Sequence, residues 1–174
     1  IAKRGITIVG WSDGTNSYSV SGTIALTYAK DSYTLTPVAD DGNIIPGDEA
    51  NINMVVSGNV GANVGTYTAT ASLEDNDNYE MLNATKDWSI IAKELIVVWS
   101  KQGTFDYNGK EQGISVSLSG IIDGDIVNVT TTNLTATDAG SYTAKVVSID
   151  NTSYTLPDYG LSYTWTINKV AIKG

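Results

Sequence analysis

Apolar and polar residues alternate with a period of two along Ile114-Ser115-Val116-Ser117-Leu118, Ile126-Val127-Asn128-Val129-Thr130, Tyr142-Thr143-Ala144-Lys145-Val146 and Tyr163-Thr164-Trp165-Thr166-Ile167. Successive side chains of a strand point to opposite faces, so this period predicts strands with one face buried and one in water. β-branched and aromatic residues dominate the four runs, as a pleated, half-buried surface prefers. No stretch keeps apolar residues at i, i+3, i+4 and i+7, and no helix is expected. Turn-forming residues cut the pattern at Pro46-Gly47-Asp48, Tyr107-Asn108-Gly109 and Asp138-Ala139-Gly140, as strand connections require. Short strands separated by such turns predict a sandwich of two sheets.

The pattern occurs twice. Ile8-Val9-Gly10-Trp11-Ser12 matches Ile96-Val97-Val98-Trp99-Ser100, and Ile44-Ile45-Pro46-Gly47-Asp48 matches Ile121-Ile122-Asp123-Gly124-Asp125. Gly65-Thr66-Tyr67-Thr68-Ala69 then matches Gly140-Ser141-Tyr142-Thr143-Ala144, and Trp88-Ser89-Ile90 matches Trp165-Thr166-Ile167. The copies lie 77 residues apart at Gly47 and Gly124, 75 at Gly65 and Gly140, 77 at Trp88 and Trp165, but 88 at Trp11 and Trp99. Copy one therefore carries roughly ten extra residues around Ser17 to Leu26, which read as a surface-loop insertion, where added length costs little closure entropy. A period of this size marks a self-contained module, larger than a solenoid unit.

The expected domains are 1–92 and 93–174. Their junctions, Ile1-Ala2-Lys3, Ile91-Ala92-Lys93 and Ile167-Asn168-Lys169, are short and contain neither Pro nor Gly, so a semi-rigid array is expected rather than flexibly linked beads. The chain begins without Met, and its tail Val170-Ala171-Ile172-Lys173 resembles the opening strand of a further copy. Both features lead us to expect a piece of a longer array.

Charge and composition then remove functions. Ten Lys and Arg against 19 Asp and Glu give a formal charge of −9, which repels nucleic acid phosphates and anionic membrane surfaces. Neither is an expected partner. Cysteine and histidine are both absent, which removes thiolate chemistry, disulfides, imidazole proton transfer and the usual zinc and copper ligand sets. No cofactor is expected. No apolar run approaches the ~18–20 residues that cross a bilayer, and the first residues lack the apolar core of a signal peptide.

The segment Asp138-Ala139-Gly140-Ser141-Tyr142-Thr143-Ala144 has the form of the tyrosine corner of immunoglobulin-type sandwiches, with Ala144 where a disulfide-bonded domain carries Cys. Copy one reads Asn63-Val64-Gly65-Thr66-Tyr67-Thr68-Ala69, with Asn63 replacing the acidic residue. A partly buried phenol needs a hydrogen-bond partner, and in the corner that partner is nearby backbone, so Tyr67 and Tyr142 read as structural. The fold class expected is all-β, two tandem immunoglobulin-like β-sandwich domains.

With these features the chain resembles the bacterial surface immunoglobulin-like repeats of the MBG or YDG type. The matching residues are Phe105-Asp106-Tyr107-Asn108-Gly109, Gly124-Asp125, Thr137-Asp138-Ala139-Gly140-Ser141-Tyr142 and Trp165-Thr166-Ile167-Asn168-Lys169. They span nearly all of copy two, whereas copy one has Thr27-Tyr28-Ala29-Lys30 in place of the Tyr-Asn-Gly turn. The resemblance implies an array within a large secreted or cell-wall-attached protein, acting as stalk or adhesin, and brings no catalytic residues.

Trp11, Trp88, Trp99 and Trp165 could stack on sugar rings, but they form two repeat-equivalent pairs within strand patterns, and core anchoring is the simpler reading. The loops Asp40-Asp41-Gly42-Asn43 and Glu74-Asp75-Asn76-Asp77-Asn78 offer the hard oxygens that Ca²⁺ prefers. Copy two has Ser148-Ile149-Asp150-Asn151 at the second place, which favours solvated turns. Paired acids for a glycosidase stand in no distinctive motif, and no Ser has a His base. Lys93 and Lys169 lie near strand ends, where an intramolecular Lys–Asn isopeptide bond would need a buried Lys; strand-end lysines usually sit in water. No catalytic, cofactor or metal residue is assigned.

The expected function is a non-catalytic spacer that contacts neighbouring repeats of its own chain, outside the cell. The alternatives are an adhesion module for a glycan or a host surface protein, or an accessory domain of a carbohydrate-active enzyme.

Overall fold

A computed structural model describes residues 1–172. The chain divides into two compact units, Ile1–Ile91 and Ala92–Gly174. Both are all-β. The helical structure among the described residues is one 3₁₀ turn at Glu49–Asn51. No helix among them is long and apolar enough to cross a membrane.

In unit 1 the strand Arg4–Ser12 organises one sheet. Thr36–Asp40 and Ser17–Ser19 pair with it antiparallel, and Tyr79–Leu82 pairs parallel to its first residues. The second sheet runs in the order Ile24–Thr27, Thr85–Ile91, Gly65–Leu73, Met54–Ser57. Alternation works as the sequence requires, since Trp88 and Ile90 are buried while Asp87 and Ile91 on either side of them face solvent. Ile8 and Trp11 of the first sheet meet Ile24, Leu26, Ala69, Ala71, Trp88 and Ile90 of the second in one core. Each Ile or Leu among them removed from water contributes ~1.5–3 kcal/mol before entropy is subtracted.

Unit 2 repeats the plan with fewer residues. Its larger sheet runs Thr104–Asp106, Ser162–Asn168, Gly140–Ile149, Val129–Thr132, and the facing pair is Ile96–Trp99 with Val116–Ser119. Ile114, Ala144, Trp165 and Ile167 form its core, flanked by Trp99, Phe105 and Tyr142. The final strand of each unit is closed in the same way by a parallel partner. Trp88–Ile91 pairs with Ile24–Thr27, Thr166–Asn168 pairs with Thr104–Asp106, and the next backbone N–H, of Tyr28 or Tyr107, bonds Ile91 O or Asn168 O.

Four expectations need correction. The run Ile126–Thr130 does not form one strand, because pairing begins at Val129 and Ile126 is 75 % exposed. The Asp150 carboxylate, 22 residues away, captures the Asn128 backbone N–H and side-chain amide. The strand expected over Ile114–Leu118 spans Val116–Ser119, while Ile114 is buried and its N–H reaches Leu134 O. The insertion is not a plain loop, since Ser17–Ser19 is a strand and Ile24 and Leu26 are core residues. Val170–Ile172 form no strand, and Lys173, the end of the expected opening strand of a further copy, lies outside the described residues.

Candidate functional site

The positions shared by the two copies form a closed hydrogen-bonded frame around each core. Tyr67 and Tyr142 make the corner, their hydroxyls donating to Asn63 O and Asp138 O at 2.6 Å each. Their rings stack on Trp88 and Trp165, with centroids 4.5 and 4.8 Å apart. The indole N–H of Trp88 donates to Gly58 O and that of Trp165 to Asn133 O. Gly58 and Asn133 both have positive φ, 65° and 56°. At Gly58 an added Cβ would fall 2.1 Å from Thr68 O, whereas Asn133 turns its amide onto the equivalent carbonyl of Thr143.

A second shared element went unnoticed in the sequence. The Tyr79 hydroxyl donates to Asp48 Oδ2 at 2.8 Å and accepts from Ile45 N–H at 3.1 Å. Tyr154 does the same with Asp125 Oδ2 and Ile122 N–H, at 2.7 and 3.0 Å. Three residues before each Tyr an Asn caps the turn. Asn76 Oδ1 accepts from Asn78 and Tyr79 N–H, and Asn151 Oδ1 accepts from Ser153 N–H. The recurring Asn-x-x-Tyr at Asn76–Tyr79 and Asn151–Tyr154 was the available signal, 75 residues apart like the corner.

The tryptophans divide by environment. Trp11, Trp88 and Trp165 are buried and offer no stacking face to a sugar, whereas Trp99 is half-buried, stacked on Tyr163 at 5.8 Å. Its N–H reaches Gly160 O at 2.8 Å, while the buried Trp11 N–H has no partner among the described residues.

The insertion makes unit 1 different. Asp13 caps its hairpin by accepting from Thr15 and Asn16 N–H and from the Tyr18 hydroxyl. The Tyr18 hydrogen bond, the largest cause, and those backbone bonds hold the Asp13 carboxyl well below the usual carboxylate range. Burial, then the Asp13 contact, pushes the Tyr18 phenol up. Lys86 occupies an inward position of its strand, only 4 % exposed. Its ammonium donates to the carbonyls of Ser19, Val20 and Gly22 at 3.0, 3.1 and 2.8 Å. Three donors meet three acceptors, which is what a buried ammonium requires. Lys93 is half-buried in a short strand and Lys169 is exposed.

Both acidic loops bind their own chain. Asp40 Oδ1 accepts from Gly42 N–H, Glu74 Oε2 accepts from the Asn53 amide, and the Asn76 amide donates to Asn51 O. Among the described residues no three acidic side chains gather to hold a metal ion. Two open clefts have mixed polar and apolar walls. One of about 420 Å³ on the second sheet of unit 1 is lined by Thr66, Thr68, Asp87 and Ser89 together with Ile24, Tyr67 and Trp88, and Thr68 already donates to Asp87 Oδ1 at 2.7 Å. The other, about 370 Å³, lies in unit 2 between Ser100, Gln102, Phe105, Glu111, Gln112 and Ile114. Comparison with protein-family models, with curated proteins and with solved structures found no match.

Proposed function

We propose that the chain is a non-catalytic pair of immunoglobulin-like repeats from a secreted or surface-attached bacterial protein, serving as a spacer. One observation carries this reading: side chains kept at equivalent places in both copies, Trp88 and Trp165, Tyr67 and Tyr142, Tyr79 and Tyr154, are each engaged inside their own module. What the duplication retained is the means of closing a sandwich. The tyrosine corner on paired sheets supports the immunoglobulin-like assignment.

Small-angle scattering of the full chain tests the spacer reading. An elongated particle of fixed length is expected. A compact particle, or an ensemble of freely varying length, would overturn it.

A further inference from the structure

The two copies can be compared at the insertion. Fourteen positions separate Ser12 from Leu26, but only five separate Ser100 from Phe105, the residue that pairs at the equivalent point of the last strand. In unit 1 the nine extra residues build a strand on the edge of Arg4–Ser12, with Ser19 opposite Gly10, Tyr18 opposite Trp11 and Ser17 opposite Ser12. Tyr18 packs against the core beside Tyr33 and donates to Asp13. Lys86 then fixes the returning loop.

Unit 2 has the same edge without that strand. Ile96–Trp99 pairs with Val116–Ser119, and the ladder continues as Ser100 N–H bonds Ser115 O. Even-numbered residues therefore bond to that side. On the other side Leu95 N–H reaches Thr155 O, after which no backbone hydrogen bond engages Val97 or Trp99 among the described residues. Beyond the end of this edge opens the cleft of about 370 Å³, with Phe105 and Ile114 as its apolar lining. Gln112 lines it where unit 1 has Tyr33. Tyr33 pairs with Gly61, four residues before Gly65, and Gln112 pairs with Ala136, four before Gly140. Unit 2 has neither tyrosine at these places and no lysine clamp, because Tyr163, stacked on Trp99, stands where Lys86 does, two residues before the Trp.

We propose that this edge and cleft of unit 2 dock an extended segment of a partner protein, an aromatic residue flanked by small hydroxyl residues, in the manner of Ser17-Tyr18-Ser19 within unit 1. Val97 and Trp99 supply the backbone donors and acceptors, as strand addition to an exposed edge requires. The ring enters the cleft over Phe105 and Ile114. Glu111, whose Oε2 takes the Thr135 hydroxyl at 3.3 Å, stands ready to accept a phenol hydroxyl as Asp13 does for Tyr18. The net charge of −9 selects neutral or basic segments over acidic ones. The spacer reading is independent of this site.

Because the chain has no cysteine, a single Lys101→Cys substitution in the exposed turn provides a unique tether on the otherwise intact chain. The antiparallel register places the start of a docked segment beside that turn. The peptides Cys-Asn-Ser-Tyr-Ser-Val and Cys-Asn-Ser-Ala-Ser-Val are equilibrated with the variant in a thiol–disulfide buffer, and the mixed disulfides are quantified by mass spectrometry. The Tyr peptide is expected to be captured at least about tenfold more, the ratio that ~1.4 kcal/mol of ring burial and hydrogen bonding gives. Its capture should slow hydrogen exchange at Val97 and Trp99, and Glu111→Gln should reduce the preference for Tyr over Phe. Equal capture of the Tyr and Ala peptides would overturn the proposal. So would capture that leaves Val97 and Trp99 exchanging as before.

Discussion

Replacing Tyr79 by Phe isolates one hydrogen-bonding hydroxyl in a buried residue while keeping the ring, which is 2 % exposed. That hydroxyl joins the turn at Ile45 and Asp48 to the strand Tyr79–Leu82, a sequence separation of 31 to 34 residues. Its bond to the Asp48 carboxylate involves a charged group and is worth ~1.5–3 kcal/mol, while the Ile45 N–H, on a half-exposed turn, regains water. We expect a loss of about 2 kcal/mol, with little cavity penalty, since the ring remains. For a module of this size 1 kcal/mol shifts the midpoint by ~4–8 °C, so the unit 1 transition should fall by roughly 8–16 °C. Differential scanning calorimetry, with hydrogen exchange assigning the transitions, should show unit 2 melting where it did before. Two results would refute the reasoning. A shift below about 2 °C would mean that the hydroxyl does not close the turn. An equal fall of both transitions would mean that the units do not fold separately.

Within unit 1, Trp88→Phe should cost about 1 kcal/mol more than Trp11→Phe by urea denaturation, because only the Trp88 indole has a hydrogen-bond partner to lose,. Lys86→Met should release the loop at Val20–Gly22, read as faster amide exchange there, and should destabilise unit 1 but not unit 2. Asp13 has a folded pKa below its unfolded value, so its contribution is complete above about pH 4 and is lost as pH falls through the folded value. Asp13→Asn should therefore flatten the acid-side decline in the urea midpoint of unit 1 and leave the midpoint of unit 2 unchanged at every pH.

The sequence carried the all-β character because alternation is a property of local spacing. Tyr142 to Val146 and Tyr163 to Ile167 fall inside the strands Gly140–Ile149 and Ser162–Asn168. The corner was legible for a similar reason, as Tyr67 and Tyr142 bond carbonyls only four residues upstream. What failed depended on distant partners. Ile126–Asn128 alternates well but meets the Asp150 carboxylate, 22 residues from Asn128, which takes the Asn128 N–H, while the Asp150 N–H still reaches Asn128 O. Lys86 reads as an ordinary polar break in a strand. Its role appears only when the chain 64 to 67 residues upstream returns three carbonyls to it.

The two units can be compared within one chain. Where they agree, as at Tyr79 and Tyr154 or Trp88 and Trp165, the contacts are internal to each unit. Where they disagree, the difference gathers on one strand edge. Unit 1 covers that edge with its own Ser17–Ser19 strand, buries Trp11 and adds Tyr18 to its core; unit 2 leaves Trp99 half-buried beside an open cleft. Unpaired backbone at an edge invites another strand, and natural sandwiches usually blunt it with charge or proline. Val97, Val98 and Trp99 supply neither. An edge that one unit covers with a strand and a buried lysine, and the other leaves without a strand partner at Val97 and Trp99, is the place where the two units are expected to differ in what they touch.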